Sequence, residues 1–143
     1  MKATHDFETL IAPYPLRVRK LAQALRKLIF AVLPEPLEMI DAHSRLAGYG
    51  FGPRYADMVC SLIPSNGGVK LGLAYGASLA DPDGLLGGAG KVHRHMNFQA
   101  PVDVERPGVK SLLRAALAAQ QSRVGVQRKM SRSRSRKEPE RRC

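Results

Sequence analysis

The spacing of apolar residues changes twice along the chain, and this change limits the fold more than any other feature. From Pro15 to Leu33 apolar residues recur every three or four positions, which predicts an amphipathic helix. The same spacing returns from Pro107 to Gln121. Between these segments the period falls to two, which is typical of strands with one buried face. Strands gathered between helices, without regular strand–helix alternation, indicate an α+β fold.

Alternating apolar residues predict the strands. Val69, Leu71 and Leu73 alternate with polar or small residues, so their side chains share one face. The segment Met58–Ile63 is apolar on both faces, which predicts a central position in the sheet. The turn sequence Asn66–Gly68 predicts a tight hairpin. The five predicted strands are Leu37–Ala42, Leu46–Phe51, Ala56–Ile63, Val69–Tyr75 and Lys91–Phe98.

These elements together predict one small domain. We expect an antiparallel β-sheet of about five strands, with the N- and C-terminal helices packed on one of its faces. A shorter helical element, from His5 to Ile11, is predicted ahead of the main N-terminal helix. The 143 residues are enough for one domain with a core but not comfortably for two. Residues 1–122 are accordingly predicted to fold as a single unit.

Neither the apolar runs nor the cysteines indicate a membrane or secreted protein. The longest apolar run without a charge, Leu28–Pro34, is far shorter than the ~20 residues that a spanning helix needs. Asp6 and Glu8 interrupt the N-terminal segment, so no signal peptide is predicted. Two cysteines do not make a disulfide framework, and Cys60 is predicted to be a small buried residue. We therefore expect a cytoplasmic protein without membrane contact.

The basic charge is concentrated at the C-terminus. Residues 123–143 carry nine Lys or Arg and two Glu, which accounts for +7 of the net charge of +11. This segment has few large apolar residues and is predicted to be a disordered tail. Clustered arginines can bind nucleic acid by neutralising phosphates. Since no aromatic residues interleave with them for base stacking, any such binding is expected to be weak and nonspecific. The other interpretation is that the tail is a simple solubilising extension.

The glycine-rich stretch Leu79–Phe98 does not match a phosphate-binding loop. A Walker A loop needs two glycines separated by four residues, then Lys and a hydroxyl residue that opens a helix. Here five residues separate Gly84 from Gly90, and Val92 follows Lys91. The alternation after Lys91 predicts a strand, so no helix N-terminus is available to face a phosphate. Nucleotide binding through this loop is excluded.

A metal site in the same stretch is not predicted either. His93 and His95 lie two residues apart, so on a strand both side chains leave the same face. A metal site needs three or four ligands, and no third ligand is placed near them by the sequence. The neighbouring Lys91 and Arg94 also repel cations. The two histidines are better explained as polar surface residues.

The first half of the stretch, "DPDGLLGG", predicts a capped turn. Asp81 suits an N-cap position, and the proline that follows it suits the first turn of a helix. The negative charge of Asp83, in the first turn of such a helix, would interact favourably with the helix dipole. Gly87 is expected to end the turn in the left-handed conformation. No ligand is needed to explain these residues.

Arg94 is the unusual residue of the second half. It shares a strand face with Met96 and Phe98, which places a guanidinium among core-facing positions. A buried guanidinium is costly unless it is paired. Arg94 could pair with Asp81 or Asp83, which we prefer, or line a pocket and bind an anionic ligand. A bulge at Gly90 could instead turn it outward.

Three segments carry a resemblance to a known family: "YGFGPRY" (Tyr49–Tyr55), "VKLGLAYGASLADPDGLLGGAGKVHRHM" (Val69–Met96) and "RPGVKSLLRAAL" (Arg106–Leu117). They resemble the YdhG-like domain family, a bacterial family of unknown function. The resemblance implies a compact α+β domain, and members of this family have been likened to frataxin-type iron proteins. Many relatives carry His where this chain has Gly68 and Glu where it has Gly87, so two potential metal ligands of the family are missing here.

The sequence leaves three functions open. The preferred one is a non-enzymatic module that binds a small anionic ligand through Arg94, Lys91, His93 and His95. The alternatives are frataxin-like iron binding, which the resemblance implies, and weak nucleic-acid binding through residues 123–143. No arrangement of Ser, His and acid and no carboxylate pair indicates catalysis, so an enzyme is not favoured. Apart from iron under the second alternative, no cofactor is expected.

Overall fold

The predicted α+β fold is confirmed. The computed structural model describes residues 2–88 and 92–123. The helices are α1 (Lys2–Ile11), α2 (Leu16–Val32) and α3 (residues 109–123). The strands are β1 (Leu37–Asp41), β2 (Leu46–Gly50), β3 (Met58–Ser65), β4 (Gly68–Leu73) and β5 (Arg94–Phe98). Short 3₁₀ turns occupy Tyr55–Asp57, Gly76–Ser78 and Pro101–Glu105.

The five strands form one antiparallel sheet in the order of the chain, β1-β2-β3-β4-β5. The predicted central strand, β3, therefore lies in the middle of the sheet. The hairpin predicted at Asn66–Gly68 joins β3 to β4, with Ser65 opposite Gly68. A bulge interrupts the β2–β3 register at Gly50, where an added Cβ would lie 2.2 Å from the Asp57 carbonyl oxygen. Only glycine fits this close approach.

All three helices contribute to a core on one face of the sheet. The α2 stripe is buried at Val18, Leu21, Leu25 and Ile29, while Leu28 and Val32 pack at its margin. The strands add Leu62, Leu71, Leu73, Met96 and Phe98, and α3 adds Val109, Leu112, Leu113 and Ala116. The predicted helical stripes and the one-sided packing are thus confirmed. No helix within the described ranges is both long and apolar enough to cross a membrane.

The opposite face of the sheet carries smaller and more polar side chains. Ser61 lies opposite Gly72, and Gly72 lies opposite His95, so these three residues form a row across β3, β4 and β5. All three are half-buried, whereas Leu62 and Leu71 on the core face are fully buried. Because alternate residues of a strand point to opposite faces, this row lies on the outer face of the sheet.

A buried polar network ties α2 to the first two strands. The Arg26 guanidinium donates from Nε to Glu38 Oε2 at 2.6 Å and from Nη2 to Glu38 Oε1 at 3.0 Å. The Tyr49 hydroxyl donates to Glu38 Oε2 at 2.7 Å. The hydrogen bond to Glu38 raises the pKa of Arg26, and burial raises the pKa of Tyr49, so the first stays charged and the second stays protonated.

Aromatic rings cover the same guanidinium. Its central carbon lies 5.1 Å from the ring centre of Phe7 and 4.7 Å from that of Phe30. Phe30 in turn makes an edge contact with Tyr49, with ring centres 5.8 Å apart. The charge of Arg26 is therefore held by one carboxylate and two ring faces, which identifies a structural role for this network.

Several predicted boundaries are wrong, among them the limits of the third strand, which is Met58–Ser65, and the start of the fifth, which is Arg94. The fourth strand ends at Leu73 and not at Tyr75, since Tyr75 has a φ of 57° in the left-handed region and leaves the strand. Arg123 is predicted to begin the tail, but it belongs to α3, which extends past Gln121 to residue 123. The rest of the predicted tail, residues 124–143, lies outside the described residues. Lys91, in the segment before β5, also lies outside them.

Candidate functional site

Asp81 organises the turn that precedes the candidate site. Its Oδ1 accepts a hydrogen bond from the Leu85 amide and its Oδ2 one from the Leu86 amide, both at 2.9 Å. The left-handed residue of this turn is Gly84, with a φ of 65°. Gly87, which was expected in that conformation, instead pairs with His95 through two backbone hydrogen bonds of 2.7 and 3.2 Å. The turn therefore extends the sheet by one bridge beyond β5.

The expected pairing of Arg94 with Asp81 or Asp83 is not formed among the described residues. Both oxygens of Asp81 are occupied by backbone amides. Asp83 lies against Gly108, where an added Cβ would come within 2.4 Å of its Oδ2. Since Gly108 directly precedes α3, the carboxylate is placed near the positive end of that helix. Asp81 is thus occupied by backbone amides and Asp83 lies near a helix end, which explains why neither carboxylate pairs with Arg94.

Arg94 opens β5 opposite Leu73 and is half-buried. It lies on the same strand face as Met96 and Phe98, as expected from the alternation. Gly76 packs closely over it, because an added Cβ there would lie 2.9 Å from the Cβ of Arg94. The Arg94 guanidinium has one long contact, from Nη1 to the His93 carbonyl oxygen at 3.5 Å. No described carboxylate contacts it.

The two histidines flank Arg94 in different ways. His93 accepts a hydrogen bond at Nδ1 from the Tyr75 amide at 2.9 Å, so the neutral ring carries its proton on Nε2. Its ring also meets the Tyr75 ring edge-on, with centres 5.4 Å apart. His95 is paired on one side with Gly72 and on the other with Gly87. Both imidazoles are half-buried at the end of the sheet.

These residues line a groove on the outer face of the sheet, which we call the outer-face groove. Its volume is about 530 Å³, within the usual range for small-molecule sites. Its lining includes Met58, Ser61, Ile63 and Gly72 from the middle of the sheet, and His93, Arg94 and His95 from its end. The groove therefore combines an apolar floor with His95 on the same face, and Arg94 borders it from the end of β5, where its side chain leaves the strand on the core face. Of the predicted ligand-binding residues, only Lys91 is not placed, because it lies outside the described residues.

The buried thiol beside this groove is not activated. Cys60 lies next to Ser61 on β3, and 2% of it is exposed. Burial raises the pKa of the Cys60 thiol, so the thiolate is not formed near neutral pH. The expectation that Cys60 acts as a small buried residue agrees with this position.

A second concavity, of about 940 Å³, shares Ile63 with the outer-face groove. It is bordered by Tyr14, by Ser44 and Arg45 of the β1–β2 turn, and by Pro64 and Ser65 of β3. Although it is larger, its lining contains none of His93, Arg94 and His95. No group of three His, Cys, Asp or Glu suited to a metal ion occurs in the described part of the chain.

Sequence reasoning missed Tyr75 and Arg123. The Arg123 guanidinium lies over the Tyr75 ring, 3.9 Å from its centre. This contact joins the end of α3 to the residue that follows β4. No pattern within either segment signals it, because the two residues are 48 positions apart and meet only through the packing of α3 on the sheet.

Comparison with known proteins identifies no relative: no family model, curated protein or solved structure matches the chain.

Proposed function

We propose that this protein is a non-enzymatic module that binds a small anionic ligand in the outer-face groove. One observation carries the proposal: His93, Arg94 and His95 all border a groove with an apolar floor, His95 from the outer face of β5 and Arg94 from the first position of that strand. A few polar groups at the edge of a concave apolar surface are the usual composition of a small-molecule site. We also propose, from the resemblance of its residues alone, that the chain is a YdhG-like domain.

The charges around the groove favour an anion at the basic end. Arg94 has no carboxylate partner among the described residues, so its charge is available to a ligand. A guanidinium binds carboxylate or phosphate with two parallel hydrogen bonds. His95 adds an N–H donor from the outer face of β5, the face opposite to that of Arg94.

The composition of the floor suggests a ligand with an apolar body. Met58 and Ile63 offer apolar surface, and Gly72 contributes no side chain at all. Asp41, at another part of the lining, disfavours a second negative charge there. Hydrogen bonds from Ser44 lower the pKa of Asp41, so its carboxylate stays charged at neutral pH. A monoanion such as an aromatic or aliphatic carboxylate fits this arrangement best.

The test is a calorimetric titration of the full chain with sodium benzoate, with inorganic phosphate as an anion that lacks an apolar body. Benzoate is expected to bind saturably and more tightly than phosphate. The Arg94→Gln variant should lose about tenfold in affinity, the equivalent of one charge-assisted hydrogen bond. The matched control is Arg114→Gln, which removes an exposed arginine of α3 and should leave the affinity unchanged.

A second variant tests the groove itself. Gly72→Val adds a branched side chain to the floor, where an added Cβ would already lie 2.9 Å from Ser61 Oγ. Valine suits a strand, so the fold should persist while the volume for the ligand shrinks. Unchanged benzoate affinity in both Arg94→Gln and Gly72→Val, or no saturable binding of benzoate or phosphate to the wild type, would contradict the proposal.

A further inference from the structure

Arg123 is held in an unusual environment at the end of α3. Its guanidinium stacks on the Tyr75 ring at 3.9 Å from the ring centre. Two of its nitrogens, Nε and Nη2, are screened from solvent and have no hydrogen-bond acceptor among the described residues. Buried donors are nearly always hydrogen-bonded in native proteins, so this pair requires an acceptor.

The identity of the two nitrogens specifies the kind of acceptor. In a guanidinium, Nε–H and one Nη2–H point in the same direction along a single edge of the planar group. Two coplanar oxygens of a carboxylate or phosphate match this edge with two parallel hydrogen bonds. The stacking on Tyr75 occupies the face of the guanidinium and leaves its edge in the plane for such an oxyanion.

The backbone at Tyr75 fixes this geometry. Tyr75 has a φ of 57°, an uncommon conformation for a bulky residue. Its amide donates to His93 Nδ1 and its ring contacts the His93 ring, so two contacts hold it in place. Backbone conformations of this kind persist where the surroundings over-determine them, and they cluster at ligand sites.

We propose that the Nε–Nη2 edge of Arg123, supported by Tyr75, binds an oxyanion of the carboxylate or phosphate class. This site is distinct from the outer-face groove, whose lining contains neither Arg123 nor Tyr75. His93 contacts Tyr75 and also lines the groove, so it lies between the two sites. The inference does not depend on the proposed function, because none of its contacts involves Arg94 or His95.

The test is NMR of the ¹⁵N-labelled full chain, observing the side-chain Nε–H signal of Arg123 during titration with sodium phosphate and, separately, sodium acetate. Sodium chloride at equal ionic strength is the control for screening. A saturable shift of this signal with phosphate or acetate, and not with chloride, is expected. The anion that saturates at the lower concentration identifies the preferred class.

Arg123→Lys provides the decisive variant, because it keeps the positive charge and the contact with the ring but removes the two-nitrogen edge. Its affinity for the preferred anion, followed through the Tyr75 and His93 backbone signals, should fall about tenfold. Arg114→Lys on the exposed side of α3 should bind as the wild type does. Equal affinity in these two variants, or a response to chloride as large as that to the oxyanions, would overturn the proposal.

One further arm separates an external anion from a carboxylate of the chain itself. Glu138 and Glu140 follow Arg123 in the sequence and could supply the same two oxygens. In the Glu138→Gln/Glu140→Gln variant of the full chain, the Arg123 Nε–H signal before any titration should be unchanged. A large shift of that signal would show that the acceptor is intramolecular and would refute an external ligand.

Discussion

Replacing Glu38 with glutamine should destabilise the protein strongly, because this carboxylate is the centre of the buried network. Only 1% of the Glu38 side chain is exposed, and both of its oxygens accept hydrogen bonds. Glutamine keeps one carbonyl acceptor. Its amide group replaces the other oxygen and would face a donor of Arg26 or Tyr49 instead of accepting from it.

The magnitude follows from the burial of the two partners. Removing one member of a fully buried ion pair costs about 3–5 kcal/mol, because the remaining buried charge loses its counter-charge. The Arg26 side chain is 22% exposed, so water recovers part of that cost. We therefore expect Glu38→Gln to lower the free energy of unfolding by about 3 kcal/mol. Tyr49→Phe removes one hydrogen bond to a charged acceptor and should cost about 1.5 kcal/mol.

Urea denaturation followed by circular dichroism at pH 7 measures both values. The double variant should lose less than the sum of the single losses by about 1 kcal/mol, because each substitution removes the same Tyr49–Glu38 hydrogen bond. Glu105→Gln is the matched control: this carboxylate is exposed and its replacement should change stability by less than about 0.5 kcal/mol. A loss below about 1 kcal/mol for Glu38→Gln would refute the structural role of the network.

Two further outcomes concern the thiol and one glycine. Burial raises the pKa of the Cys60 thiol above its ordinary value of 9.0, so near that pH only the unfolded chain loses the thiol proton. The free energy of unfolding should therefore fall above pH 9 by up to about 1.4 kcal/mol per pH unit. Urea denaturation between pH 9 and 10.5 should show that the free energy of unfolding falls less steeply with pH in Cys60→Ala than in the wild type. Equal slopes in the two proteins would contradict this. Gly108 has a φ of 93°, and an added Cβ there would also crowd Asp83 Oδ2, so Gly108→Ala should lower the thermal midpoint by the equivalent of about 1–2 kcal/mol. Gly67→Ala, where an added Cβ meets nothing within 4 Å, should leave it nearly unchanged, and an equal loss in both variants would show that backbone strain at Gly108 is not the cause.

The sequence predicted the sheet well because each strand carries its own evidence. The alternation of Val69, Leu71 and Leu73 assigns these residues to one face whatever packs on that face. In the same way, the three-to-four spacing along α2 identifies its buried side. Such patterns depend on one element at a time, and the structure confirms them.

The polar contacts could not be predicted in the same way, because they depend on how elements meet. Glu38 reaches Tyr49 through the register of β1 on β2, and Arg26 reaches both through the position of α2. The alternation placed Arg94 on the core side of β5 but could not show which group would lie opposite it. Asp81 was a reasonable partner by charge, yet the backbone of its own turn satisfies it first.

The sheet order also has a consequence for folding kinetics. Every strand pairs only with its neighbours in the chain, so each pairing closes a short loop, except that between β4 and β5. Short loops cost little entropy to close, and local pairings are associated with fast folding. The first four strands can therefore assemble one hairpin after another, whereas β5 must wait for the segment between residues 74 and 93 to close. The basic end of the outer-face groove lies on that last strand, so we expect it to form late in the assembly of the sheet.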